Sequence, residues 1–114
     1  MKFSESLKKN HDFQNVYKNG KSMANRFLIM YVLPNDLDKN RIGISVSKKV
    51  GNSVVRHHLT RLIRESYRLS EERFHIGWDL VVVVRKRAAH ATYHQIDESL
   101  LKLAGLHNLI REEN

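Results

Sequence analysis

The chain has no cysteine in its 114 residues. That excludes a disulfide framework and any thiolate metal site, and it fits the reducing cytoplasm, where the protein is expected to reside. Long apolar runs are missing too. The longest, residues 80–84, is far too short to span a bilayer. The opening MKFSESLKKN is polar, so no signal peptide and no membrane partner are expected. Acidic residues are scarce and scattered: 12 against 20 Lys and Arg, for a net charge of +8 and a pI near 10.0. A metal-dependent nuclease acting alone needs clustered carboxylates, and none is visible. The patterns GxxxxGK[ST], HExxH and GxSxG are also absent. No catalytic residue, no metal site and no cofactor is therefore expected on the protein itself. There is no internal repeat or low-complexity segment, and the length suits one domain over residues 1–114.

What the chain does have is concentrated in residues 41–68, RIGISVSKKVGNSVVRHHLTRLIRESYR. Ile42, Ile44 and Val46 alternate with Arg41, Gly43, Ser45 and Ser47, which predicts a strand. Lys48, Lys49, Val50 and Gly51 break the alternation, and Asn52 or Ser53 can cap the helix that follows. At 100° per residue, Val55, Leu59, Leu62, Ile63 and Ser66 share one side of that helix. His57, Arg61, Arg64 and Arg68 form a stripe nearly opposite, flanked by Arg56 and Thr60. This segment holds seven Lys and Arg against one Glu, so most of the excess charge lies in a quarter of the chain. Like charges on one helix face repel, so stability alone does not favour the stripe. A phosphate backbone rewards it through counterion release. The N–H groups at the helix start, residues 51–53, are further donors for a phosphate. Glu65 is spaced to pair with Arg61 or Arg68.

The flanks read as support. Asn10 can cap a helix that runs to about Asn19, with Gly20 as a left-handed stop. On it Phe13, Val16 and Tyr17 form one stripe. Val16 reads as core; Phe13 and Tyr17 read either as core or as a platform on which unpaired bases stack. Residues 22–24 suit a short edge strand, and residues 27–33 a longer one, apolar on both faces and ended by Pro34. Asp36 and Asp38 lie in a polar connection and read as turn chemistry. Residues 78–85 contain a β-branched run that predicts a strand buried on both faces, and Arg85, Lys86 and Arg87 follow it as a small basic cluster near the sheet rim. A last helix is expected from about Thr92 to Leu109, with Tyr93, Ile96, Leu100, Leu103, Ala104 and His107 towards the sheet. His90 and His94 stand four apart with no third ligand in view, which favours exposed or capping roles. His57 and His58 point about 100° apart on a helix and cannot easily chelate one ion. They read as RNA-facing or solvent-facing imidazoles, and imidazole gains charge below about pH 6.5. The fold expected is α+β, with about four strands in the order α-β-β-β-α-β-α.

SVSKKVGNSVVR followed by LTRLIRE resembles the signature of the protein subunit of bacterial ribonuclease P. SLKKNHDFQNVYKNGKSMANRFLIMYVL and DLVVVVRKRAA extend the resemblance over nearly the whole chain. The family's helix usually opens Arg-Asn-Arg-x-Lys-Arg. Here Arg56 and Arg61 match, and His57, His58 and Thr60 stand in the places of Asn, Arg and Lys. The resemblance implies a mixed sheet with a left-handed β-α-β crossover, a fold shared with a ribosomal protein domain. It also implies a non-catalytic subunit of a ribozyme endonuclease, whose large RNA holds the Mg2+ ions and cleaves the 5′ leader from precursor tRNA. Its partners would be that catalytic RNA and the precursor, with no obligate protein partner. On this reading Lys48, Lys49, Gly51, Asn52, Arg56, His57, His58, Thr60, Arg61, Arg64 and Arg68 face RNA phosphates. Phe13, Tyr17 and Tyr31 line a cleft for the single-stranded leader. Two other readings stay open: a general RNA-binding or ribosome-associated module, and a protein-only metal-dependent nuclease.

Overall fold

The computed structural model describes residues 4–112. In chain order they form β1 (Ser4–Ser6), α1 (Asn10–Asn19), β2 (Lys21–Ala24), β3 (Leu28–Pro34), β4 (Asn40–Ser45), α2 (Ser53–Ser70), β5 (Trp78–Val84) and α3 (Tyr93–Leu106). The strands make one mixed sheet in the order β1-β4-β5-β3-β2. β1 and β5 both run parallel to β4, whereas β3 is antiparallel to β5 and to β2. The α+β architecture expected from the sequence is present, with a fifth strand added. β1 is only three residues long, too short for alternation to reveal it. It is secured by the Leu7 N–H donating to the Ile42 carbonyl at 2.8 Å and by a 2.6 Å hydrogen bond between the Ser4 and Tyr67 hydroxyls.

Alternation along the strands divides the apolar residues between the two faces of the sheet. Leu28, Met30, Val32, Ile42, Leu80, Val82 and Val84 point to one face, where Leu59, Ile63 and Tyr67 of α2 and Ile96, Leu100 and Leu103 of α3 close the main core. On the other face only α1 covers the sheet, and Leu7, Val16 and Val81 form a smaller buried cluster. β5 lies in the middle and contributes to both, which is why its sequence is apolar throughout. Among the described residues no helix is long and apolar enough to cross a membrane.

Three local expectations are corrected. Gly20 is extended (φ −84°, ψ 167°), not left-handed. Its role is close approach, since a Cβ there would sit 2.6 Å from the Val16 carbonyl oxygen and 2.8 Å from that of Val32. Asn10 is the first residue of α1, not its cap; Lys9 takes the cap position and makes no side-chain bond. α3 stops at Leu106, three residues before the expected end. His107 caps it and donates from Nε2 to the Met30 carbonyl at 2.9 Å. Asn108 turns left-handed (φ 60°), so that Leu109 folds back into the core. At the other end of α3, Thr92 and Gln95 form a reciprocal capping box that fixes where the helix starts.

Candidate nucleic-acid interface

The amphipathic pattern of α2 sorts its side chains as its sequence requires. Leu59, Ile63, Ser66, Tyr67 and Ser70 are buried. His57, His58, Arg61, Arg64 and Arg68 are exposed on the far side, with Arg56 and Thr60 half-buried between the two. Asn52 caps the helix, its Oδ1 accepting from the Val55 N–H at 3.0 Å. This fixes the first turn, where geometry leaves further N–H groups without an intrahelical acceptor. In the preceding loop Val50 is buried as an anchor while Lys48 and Lys49 stay exposed, and Gly51 is half-buried.

The cations are not equivalent. Arg61 and Arg64 make no ion pair among the described residues. Arg68 binds both oxygens of Glu65, at 2.6 and 3.1 Å, and holds that carboxyl below the usual glutamate range. Thr60 turns its hydroxyl to the Arg56 carbonyl at 2.9 Å, so its donor is spent within the helix. The Arg56 Nε is buried with no hydrogen-bond acceptor among the described residues. Arg41, part of the basic segment in the sequence, lies at the opposite end of the sheet. There it grips the buried Asp79 through two hydrogen bonds of 2.8 and 2.6 Å, and that pairing raises its own pKa.

The open face of the sheet carries the aromatic residues. Strand register sets Ser22, Tyr31, Val81 and Gly43 side by side in one row. Phe13 and Tyr17 descend onto that row from α1. Tyr17 meets Tyr31 edge to face at 5.0 Å between centroids, and Phe13 lies 6.4 Å from Tyr17. All three rings are half-buried, with one side against Leu7, Val16 and Val81. Gly43 is what admits Phe13, because a Cβ there would lie 2.5 Å from the ring. Beyond the aromatics lies the next row of the same face, Ala24, Ile29, Val83 and Ser45, in which Val83 packs half-buried against the small cluster, Ile29 and Ser45 are half-buried and Ala24 is exposed.

Topology brings these parts together. β4 and β5 run parallel with Ser45 beside Val83, so Lys48 and Lys49 leave the same end of the sheet as Arg85, Lys86 and Arg87. β3 enters from that end, with Leu28 beside Val84, immediately after Arg26. The start of α2 lies there as well. The partly exposed row of the open face therefore leads to a rim of six cations. Arg26 was not singled out from the sequence; its place became legible only once β3 was known to run against β5. It packs its guanidinium over Phe27, 5.2 Å from the ring centroid, while Arg85 donates to the Asn25 carbonyl at 2.7 Å. No group of three or more potential metal ligands occurs among the described residues.

The sequence model of the ribonuclease P family matches residues 1–107. The chain belongs to the ribonuclease P protein family. It is 57% identical over 107 residues to the ribonuclease P protein component of Lachnoclostridium phytofermentans, an alignment covering 94% of this chain and 92% of that protein. The solved ribonuclease P protein of Staphylococcus aureus matches with a TM-score of 0.86 at 38% identity, covering 93% of this chain and 97% of the other. That of Thermotoga maritima matches with a TM-score of 0.81 at 32% identity, over 87% and 94% of the two chains. Membership in the ribonuclease P protein family gives the basic rim and the aromatic row a common context, that of a ribonucleoprotein engaged in tRNA processing.

Proposed function

We propose that this chain is the RNA- and leader-binding subunit of a ribonuclease P ribonucleoprotein, and that it supports removal of the 5′ leader without itself cleaving. The observation that carries this reading is the meeting of two different surfaces at one end of the sheet. Exposed cations of the loop and α2 answer a phosphate backbone of any sequence. Half-buried rings on a sheet face that a single helix covers only in part answer unpaired bases, which stack irrespective of identity. In this reading Mg2+ and the chemistry belong with the RNA partner, and the protein supplies the contacts. Lys48, Lys49, Arg56, Arg61 and Arg64 act on phosphates, joined by the N–H groups of the α2 start. Arg68 contributes less, its charge being shared with Glu65. Phe13, Tyr17 and Tyr31 hold the leader.

The test is precursor-tRNA cleavage by bacterial ribonuclease P RNA at limiting Mg2+, with the chain, without it, and with the chain alone. Cleavage restored only by the combination supports the reading. Cleavage by the chain alone would establish a protein active site, and equal affinity for precursor and mature tRNA would favour a general RNA-binding module.

A further inference from the structure

We infer that His57 and His58 make RNA binding by this chain proton-coupled, the two imidazoles being phosphate ligands that take up protons as the polyanion docks. The inference rests on the RNA-binding reading above. Both rings are exposed on α2 and lie within a turn of Arg61, which is i+4 from one and i+3 from the other. Helical side chains lean towards the N-terminus, which directs both imidazoles back towards the start of α2. Val54, one turn earlier, is 74% exposed and does not shield them.

The charged residues next to them along the chain are cations. α2 contributes Arg56, Arg61 and Arg64, and the preceding loop contributes Lys48 and Lys49. Among the described residues neither ring has a hydrogen bond, an ion pair or a carboxylate neighbour. Of the acids on α2 and α3, Glu65 is held by Arg68 and Asp97 by the Ser66 hydroxyl at 2.6 Å, while Glu98 of α3 is exposed and makes no ion pair with either imidazole. Charging these imidazoles in the free protein thus adds like charge to a positive surface. A phosphate within about 4–6 Å reverses the sign of that interaction and favours the imidazolium. The difference between the two states is proton uptake on binding, and linkage then requires affinity to rise as pH falls through the imidazole range. The arginines and lysines of the same face keep their charge throughout, so they set a floor of affinity that pH does not move.

The experiment measures the dissociation constant of the intact chain for bacterial ribonuclease P RNA at fixed ionic strength from pH 8.0 to pH 5.5. It compares the wild type with the His57→Gln/His58→Gln and His57→Arg/His58→Arg double variants, with circular dichroism at each pH to confirm folding. Glu65, held below the usual carboxyl range by Arg68, stays ionised over this interval and adds no slope. The wild type should bind about tenfold tighter at pH 5.5 than at pH 8.0. The Gln variant should be nearly flat at the weaker level and the Arg variant nearly flat at the tighter one. The salt dependence of the wild type should steepen by up to about two charges on acidification. A Gln variant that keeps the wild-type slope would assign the protons to other groups and overturn the inference. Absence of RNA binding at every pH would instead overturn the reading on which it rests.

Discussion

The two faces of the sheet are built from alternate residues of the same strands, yet they end in different states. On the face under α2 and α3, Leu28, Met30, Val32, Ile42, Leu80, Val82 and Val84 are none of them more than 4% exposed. On the face under α1, Val81 is buried, but Tyr31, Leu33 and Val83 beside it are only half covered. Two helices close the first face, and a single ten-residue helix leaves the second ajar. Apolar surface left partly in water forgoes stabilisation of roughly 25 cal/mol per Å². On the proposed reading, a base stacking on the open face would recover part of that forgone stability. The first face is closed by its helices; the second leaves part of its apolar surface exposed, where the proposed leader site lies.

Substitutions on the two faces should therefore separate stability from recognition. Leu80→Ala on the closed face should cost about 3 kcal/mol in urea unfolding, because it leaves a cavity in a core that cannot collapse around it. Leader discrimination by the folded fraction should be unchanged. Tyr31→Ala on the open face should reduce the advantage of precursor over mature tRNA by about tenfold, a typical worth of one stacked base, while binding of the catalytic RNA alone is spared. Arg61→Ala should do the reverse, weakening binding to all RNAs and lowering the salt slope by about one. Equal effects of these two changes on both readouts would dissolve the division of labour. Gly43→Ala forces Phe13 off the sheet floor and should cost about 1–2 kcal/mol of stability along with a severalfold loss of leader discrimination. A variant with normal discrimination would remove Phe13 from the leader site.

The smallest effect belongs to Glu65. Its carboxyl is lowered by the hydrogen bond and charge of Arg68, so the pairing is present at neutral pH and is lost as pH falls through that depressed value. Glu65→Gln releases Arg68 at neutral pH and should tighten RNA binding about twofold, with a steeper salt slope. Unchanged affinity would show that Arg68 lies outside the contact.

Much of this was legible in the sequence because the relevant periods are long and clean. α2 spans five turns, enough for the Leu59-Ile63-Ser66 side and the Arg61-Arg64-Arg68 side to declare themselves. The run in β5 announced burial on both faces before any partner was known. What escaped was set by contacts between distant segments. β1 exists only because β4 offers it an edge. Arg41 looked like part of the basic segment, but Asp79, thirty-eight residues away, claims it. Phe13 and Tyr17 are half-buried against Leu7, Val16 and Val81, so each meets the core while part of its surface stays exposed, and periodicity alone could not show this. Gly43 was only one of the alternating residues of its strand in the sequence, and the approach of Phe13 is what explains it.

The central place of β5 also has a consequence for synthesis. Without that strand the sheet falls into two ribbons, β1 with β4 and β3 with β2, and isolated two-stranded ribbons are at best marginal in water. β5 ends at Val84, so three quarters of the polypeptide must leave the ribosome before the halves can join. The arginine helix emerges earlier than the strand and the last helix that cover its apolar side. For that interval a nascent chain offers cations and bare hydrophobic surface together, in a cell crowded with RNA.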